Sequence, residues 1–219
     1  MKQLKTIVIA LSGLLVAMAS KAEAPSPTIK FVRQNQSECY GVCLTSPSRQ
    51  DSVVITVAHC LDNLVGGGVS SKGLRSHQAI VPSSAHKALT FENDIALLLF
   101  PPALCAHSVL PDYSQTPNKS AVFIDTISAT YQATFDGYVY DSRNKNLVLA
   151  RTTKPSGFPR ETAGAGLFNA KNEYLGSLRN CDENNCYFST IHDSNASASE
   201  VISHAVSDKL LPPIPVIGP

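Results

Sequence analysis

The sequence predicts an all-β protein built in two units, and three observations carry that prediction. Its apolar residues gather in short runs rich in Val, Ile, Thr, Tyr and Phe, separated by turn residues, which is the pattern of a sandwich or barrel. A stretch holding Pro101, Pro102, Pro111 and Pro117 divides those runs into two sets. The apolar spacing of the mature chain becomes helical only near its end.

Residues 1–24 read as a secretory signal peptide. Lys2 and Lys5 give a basic start, Ile7–Ala19 is mostly apolar, and Ala22-Glu23-Ala24 offers small residues for cleavage. The apolar run is short for a membrane span and ends in that cleavage pattern. Export to the periplasm or the extracellular medium follows, with no membrane association after cleavage. Losing Lys2, Lys5, Lys21 and Glu23 takes the net charge from +1 to −1. That near-neutral balance gives no reason to expect a nucleic acid or an anionic membrane as partner.

The first set of runs occupies 25–104, with strands expected at Thr28–Arg33, Tyr40–Thr45, Ser52–Val57, Gln78–Pro82 and Ile95–Phe100. Residues 105–119 complete the proline-containing crossover. The second set, 120–196, places strands at Ala121–Asp125, Tyr131–Val139, Leu147–Thr152, Gly166–Asn169, Tyr174–Leu178 and Tyr187–Ile191. Turns are expected at Asn169–Glu173 and Asp182–Asn185, where Asn and Asp favour chain reversal. In 197–211, Val201, Ile202, Ala205, Val206 and Leu210 form one helical face, and Pro212-Pro213 ends it before a loose tail, 212–219. Gly66-Gly67-Gly68 is a turn, since no Lys-Ser/Thr pair follows to make a phosphate loop.

Six cysteines behind a signal peptide imply disulfides, because export leads to an oxidising compartment. No paired histidines lie at ligand spacing from Cys39 and Cys43 or from Cys181 and Cys186, so no metal is expected, and no cofactor motif occurs.

The chemistry-bearing residues fall in three segments. Thr56-Val57-Ala58-His59-Cys60 places a histidine at a strand end, where an imidazole suits general-base work. Asn93-Asp94-Ile95-Ala96-Leu97-Leu98 sets a carboxylate at the start of a strongly apolar strand, where burial demands a partner; His59 is the natural one. Glu161-Thr162-Ala163-Gly164-Ala165-Gly166-Leu167-Phe168-Asn169 is the third.

Together, over roughly residues 37–206, these segments resemble the trypsin/chymotrypsin-like (S1-type) serine proteases. The resemblance implies two packed six-stranded antiparallel β-barrels with a site between them and a short C-terminal helix. It assigns His59 as base, Asp94 as orienting carboxylate and Ala163 to the nucleophile position, with Glu161 and Ala163 at the oxyanion hole. It also implies disulfides. The family cysteine after the histidine pairs with one shortly upstream, here Cys43, seventeen residues before Cys60. Cys39 then pairs with Cys105, and Cys181 with Cys186, a shorter loop than the family commonly has.

The departures concentrate at the third segment. An alanine methyl cannot attack a carbonyl. Thr162 replaces the aspartate that family zymogens use to bind a freed N-terminal amine, and no Ile/Val-Val-Gly-Gly activation site precedes Cys39. Glu161 replaces a glycine, putting a side chain where left-handed backbone is favoured and a carboxylate near a developing oxyanion. Thr162 points away from the nucleophile direction and Ser156 lies seven residues too early, so neither substitutes. The histidines at 77, 86, 107, 192 and 204 read as surface residues. The loop Thr152–Arg160 is expected to line the specificity pocket, with Gly157 near its base. The sequence therefore reads as a catalytically inactive, secreted protease homologue holding a peptide or protein ligand in its inter-barrel cleft. The alternative is an active endopeptidase with a His59/Asp94/Ser triad, seen as a Ser→Ala variant at 163.

Overall fold

The structure is a computed structural model that describes residues 25–33, 37–46, 50–61, 69–80, 94–141 and 148–191. The signal segment, the Gly66–Gly68 turn, the C-terminal helix and the tail lie outside the described residues.

Seven strands form the first unit: β1 (Thr28–Val32), β2 (Glu38–Leu44), β3 (Ser52–Thr56), β4 (Ser70–Ser71), β5 (Leu74–Arg75), β6 (Gln78–Ile80) and β7 (Ala96–Phe100). Their order is β5-β4-β1-β2-β3-β7-β6, and among the described residues they form a half-barrel sheet, the first of the two β-units expected. The extra strands are the two-residue pair β4 and β5, too short to leave a periodic signal. They flank a turn in which Lys72 and Gly73 both take positive φ, the geometry of a tight hairpin.

The second unit contains β8 (Ala121–Thr126), β9 (Ala129–Tyr140), β10 (Val148–Thr153), β11 (Gly166–Phe168), β12 (Tyr174–Cys181) and β13 (Asn185–Thr190). These six close into an antiparallel barrel. Both expected turns are present. The Asn169 side-chain oxygen accepts from the amides of Lys171 and Glu173, and the Asp182 carboxylate accepts from those of Asn184 and Asn185. A short polar side chain mimicking a backbone acceptor is why Asn and Asp close such turns.

The runs in β3 and β7 are continuously apolar because both faces are buried. One face, with Val54, Leu98 and Phe100, packs with Phe31 and Cys43 inside the first unit. The other, with Val53, Ile55, Leu97 and Leu99, packs against Phe168, Tyr174 and Ile191 of the second. The barrel has its own core around Ile124, Phe135, Leu167 and Phe188. The buried Asp125 carboxylate on β8 accepts from the hydroxyls of Ser26, Thr28 and Thr130, which fastens the start of the described chain to the barrel.

All six cysteines are bridged, but two pairings differ from expectation. The bridges are Cys39–Cys60, Cys43–Cys105 and Cys181–Cys186. Sheet register decides between the alternatives. Cys43 lies opposite Val54, and the same antiparallel register carried onward brings residues after Thr56 beside the start of β2, next to Cys39. Cys60 sits in the 3₁₀ turn Ala58–Leu61 and therefore meets Cys39. Cys105 follows β7, whose end pairs with Ser52 near the other end of β2, and so reaches Cys43.

Candidate active site

His59 lies in the 3₁₀ turn that follows β3, and Asp94 lies just before β7. Because β3 and β7 are hydrogen-bonded neighbours, with Thr56 opposite Ala96, the two residues meet at one end of the sheet. His59 Nδ1 is 2.9 Å from Asp94 Oδ2 and 3.1 Å from Oδ1. The His59 amide also donates to Oδ1, at 2.9 Å. The Asp94 carboxylate is 1% exposed, so these hydrogen bonds replace water that burial removes. Asp94 adopts φ 25°, a left-handed conformation in which Asp is tolerated better than most residues.

The Ala163 segment reaches this corner by backbone contacts. Tyr40 donates its amide to the Ala163 carbonyl at 2.8 Å, and the Cys60 sulfur lies 3.9 Å from the same oxygen. Gly164 next to it has φ 88°, and a Cβ there would lie 1.8 Å from the Tyr40 carbonyl oxygen. Glycine at 164 is thus imposed by both conformation and space. Glu161 adopts φ 62°, the left-handed region the family glycine suits, although its side chain makes that conformation strained. The Thr162 side chain is buried and its hydroxyl has no hydrogen-bond partner among the described residues.

One charged neighbour was missed. Arg179 on β12 places Nε 3.3 Å from Asp94 Oδ2 and Nη1 2.6 Å from Asp141 Oδ2. The β12–β13 register shifts between Leu178 and Asn180, leaving Arg179 as the extra residue of a β-bulge. Bulges re-aim side chains in this way. Its signal in the sequence is a cation directly after the apolar run Tyr174–Leu178, where the expected strand ended.

A cavity of about 570 Å³ adjoins the corner, lined among others by Lys154, Arg160, Glu161, Ala163, Arg179 and Asp182. Of the loop Thr152–Arg160, Lys154, Pro159 and Arg160 line it and Gly157 does not. Gly157 and Ser156 lie exposed in a turn, while Phe158 folds inward onto Tyr131. His77 and His107 are exposed; the remaining histidines, 86, 192 and 204, lie outside the described residues.

The overall fold of the described residues recurs in known structures. A Glu endopeptidase shares it at TM-score 0.54 and 15% identity, over 84% of this chain and 92% of that one. A thermostable serine protease, AL20, from an extremophilic microorganism matches at TM-score 0.57 and 11% identity, over 81% and 97%. The fold is that of the chymotrypsin-like serine proteases. Thermobifida fusca Protease A matches at TM-score 0.52 and 15% identity, over 82% and 96%. No protein-family model and no curated protein sequence matches the chain.

Proposed function

We propose that this chain is a secreted, catalytically inactive homologue of the chymotrypsin-like serine proteases that binds a peptide or protein in the cleft between its two β-units. The reading rests on the hydrogen-bonded His59–Asp94 pair, with Ala163 taken as the nucleophile position that the sequence motif implies. Acyl transfer needs a nucleophile, a base, an orienting carboxylate and an oxyanion hole. This site keeps the second and third and lacks the first. Glu161, at the expected oxyanion-hole position, adds a carboxylate where negative charge would develop.

The cleft supports binding. β11 pairs with β12 only over Tyr174–Ser177, so Arg179, Asn180 and Cys181 extend past it along the cavity. A strand segment running past its neighbour can take an extended peptide by main-chain pairing.

The retained His59–Asp94 pair favours a second reading, an active endopeptidase represented by a Ser→Ala variant. Peptide hydrolysis and labelling by a fluorophosphonate probe, measured for the native chain beside Ala163→Ser, test both. The native chain is expected to be inert in both assays; hydrolysis by it overturns the proposal. Full activity of Ala163→Ser alone moves support to the second reading.

A further inference from the structure

From the geometry around Asp94 we infer that Arg179 is a further disabling residue, a positioning group that weakens the electrostatic support the Asp94 carboxylate gives His59, independently of Ala163. The inference rests on the protease-like reading of the site but concerns a different residue and a different step.

A histidine base takes a proton and becomes an imidazolium. The orienting carboxylate helps by accepting from the ring N–H and by opposing the new positive charge. In this site Asp94 serves both tasks: Oδ2 lies 2.9 Å and Oδ1 3.1 Å from His59 Nδ1, and Oδ2 is also 3.3 Å from Arg179 Nε. A guanidinium keeps its charge throughout the physiological range. It therefore offsets the negative charge that the imidazolium needs and adds a like charge beside it. Asp94 is almost fully buried, so water does little to screen the contact.

Arg179 is also held from behind. Asp141 takes its Nη1 end at 2.6 Å, so the guanidinium is clamped between two carboxylates. The β-bulge at Arg179 aims the stem at this point. Replacing the nucleophile alone leaves this clamp intact.

The test compares Ala163→Ser with Ala163→Ser/Arg179→Ser and Ala163→Ser/Arg179→Lys, by fluorophosphonate labelling and peptide hydrolysis. A fourth protein, Ala163→Ser/Arg179→Ser/Asp141→Asn, removes the clamp without stranding the Asp141 charge and decides the matter if the Arg179→Ser protein is unfolded. The expected result is weak labelling for Ala163→Ser and for the lysine variant. Proteins lacking the cation should gain about 100-fold in kcat with KM little changed, within the range a working general base supplies. In the Ala163 background, the His59 Nδ1–H proton resonance should move downfield in Arg179→Ser and stay in place in Arg179→Lys. Equal kcat for folded proteins with and without Arg179, or an unmoved resonance, overturns the inference. Hydrolysis by the native chain would instead defeat the proposed function, whichever way these ratios fall.

Discussion

At Gly164, one hydrogen atom in place of a methyl group decides whether the chain can pass its neighbour. A side chain there would strike the Tyr40 carbonyl, whose oxygen also accepts from the Thr56 hydroxyl at 2.6 Å. Gly164→Ala is expected to destabilise by about 4 kcal/mol or more, placing it among exceptional single substitutions; urea unfolding checks this. Thr162 behaves oppositely. Its buried hydroxyl lacks a partner among the described residues, and an orphaned polar group of this kind costs about 1–3 kcal/mol. Thr162→Val keeps the shape and removes the orphan, so it should leave stability unchanged or raise it by about 1 kcal/mol in the same experiment. The approach of His59 to Asp94 was legible in the sequence because each sits in its own contiguous motif. Arg179 was not, because its partner Asp94 lies 85 positions earlier and only the bulge in β12 brings them together.

At the scale of elements, all eleven expected strands form, because each is marked by its own apolar run and turn residues. What the sequence concealed was register. Cys39 and Cys43 lie on the same face of β2, so spacing alone does not choose their mates; the pairing of β2 with β3 and of β3 with β7 does. Mass spectrometry of a non-reduced digest should recover Cys39–Cys60 and Cys43–Cys105. Recovery of Cys43–Cys60 would contradict the register itself. The bridges also differ in the loops they close: Cys43–Cys105 spans 62 positions and Cys181–Cys186 spans 5. On loop-closure entropy, replacing the first pair by alanines should cost about 2 kcal/mol more than replacing the second, measured by denaturant unfolding.

Across the whole molecule, the two units are joined by apolar packing and by polar contacts from the crossover. Val109 packs into the shared cluster, and Asp112 reaches the end of β11 through a hydrogen bond from the Asn169 side chain at 2.9 Å. Burial pushes the Asp112 carboxyl up, but hydrogen bonds from the Ser114 hydroxyl and amide and from Asn169 outweigh it and hold it below the ordinary carboxylate range. A carboxyl depressed in the folded state stabilises the protein above its unfolded value, and that contribution disappears as pH falls through the folded one. Asp112→Asn should therefore lower the melting temperature at neutral pH, with the difference from native shrinking below about pH 4. The two-unit plan was legible because the proline-containing stretch interrupts the strand pattern.

The central claim is a protease fold whose cleft holds a peptide without cutting it. Its most direct test is fluorescence anisotropy of a labelled, extended peptide pool with the purified native chain, followed by mass spectrometry of the bound material. The account predicts saturable binding, with the peptides recovered intact after prolonged incubation. Cleaved peptides, or a folded protein that retains no peptide at all, would contradict it.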